Sequence, residues 1–93
     1  MTIGVLHIDL RIPGARSLKD KRRVTTSLKQ LVRNRYNCSI AEVGTKERWG
    51  RAQLAACVIG DDSRFVNTQL NEIVRFVSSK SGAELIDYVI EML

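Results

Sequence analysis

Ninety-three residues, about 10.5 kDa and 44% apolar, suffice for one domain with one core and leave no room for a second. A charged fraction of 27% and a single Pro exclude a disordered or low-complexity chain. One His and two Cys are scant material for metal or nucleophilic chemistry, and fifteen Lys and Arg against ten Asp and Glu give a net charge of +5, which favours acidic partners without naming one.

Residues Val5 to Ile12 alternate, with Leu6, Ile8, Leu10 and Ile12 on one face and Val5, His7, Asp9 and Arg11 on the other. Period two predicts a half-buried strand, which Pro13-Gly14 ends. Ser17-Leu18-Lys19-Asp20 is a capping-box pattern in which the Ser oxygen and Asp carboxylate satisfy orphan N–H groups. Val24, Leu28, Leu31 and Val32 follow at helical spacing, and Asn37 suits the helix end as a cap. Cys38 to Val43 and Ala52 to Ile59 are two further strands joined by a polar loop from Gly44 to Arg51. The second is apolar on both faces, as a central strand would be. Asp61-Asp62-Ser63 offers N-caps for a second helix, whose stripe Val66, Leu70, Ile73, Val74 and Val77 runs to about Ser79. Lys80-Ser81-Gly82 turns the chain into a last strand, Ala83 to Met92.

The order β-α-β-β-α-β predicts an α+β, ferredoxin-like sandwich spanning residues 1–93. Two right-handed crossovers build one four-stranded antiparallel sheet, with both helices on one face and strand order 4-1-3-2. No run reaches the roughly 18 apolar residues of a membrane span, and Met1-Thr2-Ile3-Gly4 lacks the charged start and apolar run of a secretory signal. The expected location is the cytoplasm, with Cys38 and Cys57 reduced. A hairpin symmetric about its loop would set Cys38 opposite Cys57. Such a pair could form a disulfide or a two-thiol site, but it is too few ligands for a metal, and small reduced core residues are the expected reading.

The charge is unevenly placed. Residues 11–51 hold twelve Lys and Arg and three acids, a net +9, while residues 52–93 carry −3. At about 100° per residue, Lys19, Arg22, Lys29 and Arg33 share one flank of the first helix, opposite Asp20, Ser27 and Asn34. They form a stripe about 20 Å long. Lys29 and Arg33 are a like-charge i,i+4 pair with no interleaved acid, unfavourable by a few tenths of a kcal/mol. Such a stripe fits a phosphate backbone, where each contact releases counterions, and it also fits a solvated basic face. Arg16 stands just before the helix, and Arg48 and Trp49 share the loop. Trp49 can stack on a base, anchor a partner or fold back over the sheet edge.

Several chemistries are disfavoured. Recognition of RNA on an open sheet needs aromatics on the two central strands, and Arg51 to Val58 has none, nor has the first strand. RNA would therefore meet the helix and loops. The loop Arg11 to Ser17 occupies the place of the phosphate cradle in acylphosphatases, whose glycine-rich sequence it does not match; anion binding at Arg16 and Ser17 is a lesser expectation and hydrolysis lesser still. His7 beside Asp9 could form an acid–base couple, but nothing nearby supplies a nucleophile. No catalytic residue, metal or cofactor is expected.

Arg16-Ser-Leu-Lys-Asp-Lys-Arg22, Asn37-Cys-Ser-Ile-Ala-Glu-Val43 and Trp49-Gly-Arg-Ala52 together resemble the bacterial YlxP-like family, a domain of unknown function numbered 503. The resemblance spans nearly the whole chain, and the first motif is its most specific part. It implies a ferredoxin-like fold, no established activity and, because family genes often neighbour those of translation initiation and ribosome maturation, a ribosome-linked role. The combined expectation is a non-enzymatic domain that binds structured RNA or the ribosome through Lys19, Arg22, Lys29 and Arg33, with Arg16, Arg48 and Trp49 at the margins. The alternative is a protein-interaction module or homodimer using the open sheet face, which carries Val5.

Overall fold

Alternation in the first strand places the whole sheet. In β1 (Thr2–Arg11), Leu6, Ile8 and Leu10 are buried while His7 and Arg11 are exposed. β1 pairs antiparallel along its length with β3 (Arg51–Gly60) and, on its other side, with β4 (Glu84–Met92). β2 (Ser39–Glu42) lies outside β3, so the order is β2-β3-β1-β4, as predicted. The structure, a computed structural model, describes residues 1–44 and 47–93. Lys46, one of the twelve basic residues of the central segment, lies outside the described residues.

α1 (Leu18–Arg35) and α2 (Ser63–Ser78) cover the face that carries Leu6, Ile8, Leu10, Ala52, Leu54, Ala56 and Val58. This is the ferredoxin-like sandwich. α2 presents the predicted stripe intact, with Val66, Leu70, Ile73, Val74 and Val77 buried. Its N-cap is Asp62, whose carboxylate accepts the Phe65 N–H at 2.8 Å. α2 comes so close to β1 at Gly4 that a Cβ there would lie 2.7 Å from both Leu70 and Val66. Gly4 is glycine because the helix occupies the space of its side chain.

α1 departs from its predicted orientation. Its buried line is Lys21, Thr25, Leu28 and Val32, spaced i, i+4, i+7, i+11, whereas Leu31 is 41% exposed. Lys21 is fully buried, and its Nζ lies 2.8 Å from Oε2 of Glu42 at the end of β2. A Lys can hold a core position when its stem packs and its ammonium meets a carboxylate. Counting only apolar residues turned the expected face by roughly 45°.

Two further differences have local causes. Asn37 is not a left-handed cap, since among the described residues no non-glycine has positive φ. α1 instead ends on extended Tyr36, whose N–H donates to Val32 O. The Tyr36 ring packs edge-on against Phe76 with centroids 5.8 Å apart. In the β2–β3 hairpin Ser39 faces Cys57 and Ile40 faces Ala56, a register one residue off the symmetric expectation. Because side chains alternate faces, a single step separates the two thiols. Cys38 packs against the core, Cys57 sits on the uncovered face beside Val5, and both are free. The apolar outer side of β3 is therefore not covered: Ile59 is 55% exposed, as is Val89 of β4 at 56%.

The two thiols should differ chemically. Burial pushes the Cys38 thiol above its ordinary pKa, opposed by the nearby Arg33 cation and reinforced by Cys57. Since the thiolate is the nucleophile, titration with a disulfide reagent near pH 8 should show one fast and one slow thiol. Cys57→Ser should remove the fast phase, and the slow phase should accelerate as pH rises. Loss of the fast phase in Cys38→Ser instead would refute the assignment.

Candidate nucleic-acid interface

The start of α1 is fixed by its own side chains. Ser17 Oγ accepts the Asp20 N–H at 3.1 Å, and the Asp20 carboxylate accepts the Arg16 N–H at 3.0 Å. The reciprocal bond reaches one residue further back than the simplest capping box. The carboxylate of Asp20 thus occupies the N–H of Arg16, one donor of the anion cradle considered for this loop. Arg16, Lys19 and Arg22 are left exposed.

Further along α1, Lys29 is half-buried and Arg33 is exposed. The Arg33 guanidinium donates to the Ile40 carbonyl at 2.9 Å. That bond places the basic flank on the β2 side of the sheet and closes part of the outer edge of β2. Arg33 thus has a structural duty as well as a charge. Arg23, which the flank reading omitted, is exposed and borders the same shallow surface as Lys19, Arg22 and Gln30. With the buried face correctly centred on Lys21 and Thr25, Arg23 points outward.

Arg48 and Trp49 lie at the same end of the molecule as the start of α1. Ile12 N–H donates to Gly50 O at 2.9 Å, which draws the β1–α1 loop and the end of the β2–β3 loop side by side. The Lys21–Glu42 pair ties the second turn of α1 to the strand that enters that loop. Trp49 is 52% exposed and Arg48 is exposed. Of the other arginines here, Arg51 is held by Asp9 at 2.7 Å and Arg11 lies 3.8 Å from Glu84.

The other candidates do not assemble. Asp9 is committed to Arg51, so His7 has no Asp9 partner; it meets Glu91 of β4 at 3.4 Å, with both side chains at least half exposed. Among the described residues no three His, Cys, Asp or Glu come together in a way that could hold a metal ion. Among the described residues, no helix is long and apolar enough to cross a membrane. The aromatic pair Tyr36–Phe76 is already covered by cations, with Arg35 5.1 Å and Lys80 4.4 Å from the Phe76 centroid.

Comparison with known proteins agrees with the sequence motifs. The model of a family described as protein of unknown function (DUF503) matches residues 3–90. The uncharacterized protein YlxP of Bacillus subtilis (strain 168) is 29% identical over 77 residues, covering 83% of this chain and 84% of that protein.

Proposed function

The chain belongs to the DUF503 family, which brings no activity with it, and we propose that it is a non-enzymatic cytoplasmic domain that grips structured RNA through the basic flank of α1. The observation that carries this reading is the directed charge. Lys19, Arg22, Lys29 and Arg33 rise from one side of one helix with no acid among them, on the sheet edge away from β4 and its Glu84, Asp87 and Glu91. Phosphates would be neutralised along the flank, with Arg16 and Arg48 extending it. The surface tracks a backbone, so binding should depend on RNA shape more than on base order. The family resemblance makes ribosomal RNA the first RNA to try.

The test is a salt titration of binding to an RNA hairpin. Four phosphate contacts imply a slope near −3.6 in log affinity against log salt, or about 10²-fold between 50 and 200 mM. Arg22→Glu/Lys29→Glu should abolish most of the affinity and flatten the slope. This pair is preferable to one that includes Arg33, whose bond to Ile40 would be lost too. Wild-type affinity in the variant, or a slope near zero, would sink the reading.

A second reading, pairing of two copies through the open sheet face, is supported by the apolar outer side chains Val5, Cys57, Ile59 and Val89. Light scattering that shows a monomer at high concentration would remove it.

A further inference from the structure

The loop end of the sheet carries a feature that phosphate tracking does not use. Between the β1–α1 loop and the end of the β2–β3 loop runs an open groove of about 630 Å³, with Ile12 and Pro13 on one side and Trp49 on the other. The bond from Ile12 to Gly50 joins the two loops that line it. Arginines outnumber acids around it: Arg11, Arg48 and Arg51 line it with one acid, Glu47, and Arg16 follows Ala15 at its lip. Arg11 and Arg51 face carboxylates, whereas Arg48 makes no ion pair among the described residues.

An indole with half its surface in water, next to an uncommitted guanidinium, suits a flat partner that carries negative charge. A nucleobase with its phosphate has both properties. Bases inside a duplex are stacked on one another and present no free face, so the occupant has to be unpaired. We propose that this groove seats one unpaired base of the RNA, stacked on Trp49 against Pro13, with Arg48 on the adjoining phosphate. The inference rests on the RNA reading and sharpens it. α1 follows the phosphates of a paired region, and the groove next to its first turn takes a nucleotide that leaves that region. The preferred ligand is therefore a junction between paired and single-stranded RNA.

Trp49 is the sole Trp, so its emission reports on this groove alone. The probes are a blunt RNA hairpin and the same hairpin with a short single-stranded tail. The tailed RNA should bind roughly tenfold tighter, as expected for one stacked base, and should quench Trp49 emission more strongly. Trp49→Ala should erase the preference for the tail, so that the two RNAs bind with similar affinity; Trp49→Phe should keep most of the preference. Circular dichroism of each variant confirms folding. Equal affinity for both RNAs, with emission unmoved by the tail, overturns the groove assignment and leaves the helix reading in place. Binding of neither RNA overturns both. Quenching by an acidic peptide but by neither RNA assigns the groove to a protein partner and overturns the proposal.

Discussion

Glu42→Leu is expected to lower the unfolding free energy by about 3–5 kcal/mol, read from urea or thermal denaturation. The substitution removes the carboxylate 2.8 Å from a fully buried ammonium. An ion kept from water gains little from solvent, so loss of its counter-charge costs much more than loss of a surface pair. Lys21→Met should cost less, because the Glu42 side chain is 12% exposed and retains some access to water. The double variant Lys21→Met/Glu42→Leu should recover most of the loss, since an apolar pair of similar volume is often as stable as a buried ion pair. A loss of less than 1 kcal/mol in Glu42→Leu would show that this pair does not hold α1 on β2. For a domain of this size the expected loss is a large part of the total stability, so the measurement belongs at low temperature and low denaturant.

The second large effect concerns the seat of α2 on β1. Leu70→Ala should cost about 2–5 kcal/mol, the range for emptying a buried Leu site, because Leu70 is fully buried against β1 and its neighbours. Gly4→Ala should cost about 1–3 kcal/mol by overpacking, since the new methyl would sit 2.7 Å from both Leu70 and Val66. The two changes are not independent. In the Leu70→Ala background the methyl at position 4 enters the vacated space, so the double variant should be more stable than the sum of the single losses implies. Additivity within 0.5 kcal/mol would mean that the close approach at Gly4 is relieved by a shift of the helix.

The sheet was legible because its signals are periodic and redundant. Strict alternation in β1, the apolar length of β3 and the two N-cap patterns each point to the same topology, so an error in one is corrected by the others. The stripe of α2 was legible for a simpler reason: every buried position in it is apolar. α1 failed the same reading at Lys21 and Thr25, where the buried residues are polar and the exposed Leu31 is not. The spacing 21, 25, 28, 32 was available as a signal, but hydropathy assigns no core value to Lys, and its partner Glu42 is remote in sequence. The hairpin register was illegible for a related reason. Loop length alone does not set which residues pair when the connection is longer than a two-residue turn.

For the proposed interface, the sequence nominated residues and left their arrangement open. The flank of α1 follows from helix geometry alone. That Trp49 and Arg48 lie beside the start of that helix depends on one backbone bond between Ile12 and Gly50, a contact between loops that no periodicity encodes. The double duty of Arg33, likewise, appears only once Ile40 is known to lie at an edge.

The strand order has a consequence for how the molecule travels. β2 and β4 are opposite edges, three strand spacings or roughly 14 Å apart. One carries the cationic helix above it; the other carries Glu84, Asp87 and Glu91 and no basic residue. Such a molecule has a permanent electric dipole across the sheet. In the field of a polyanion it experiences a torque as well as an attraction, and it turns its α1 side forward before contact. The acidic β4 edge then trails, on the side away from the polyanion.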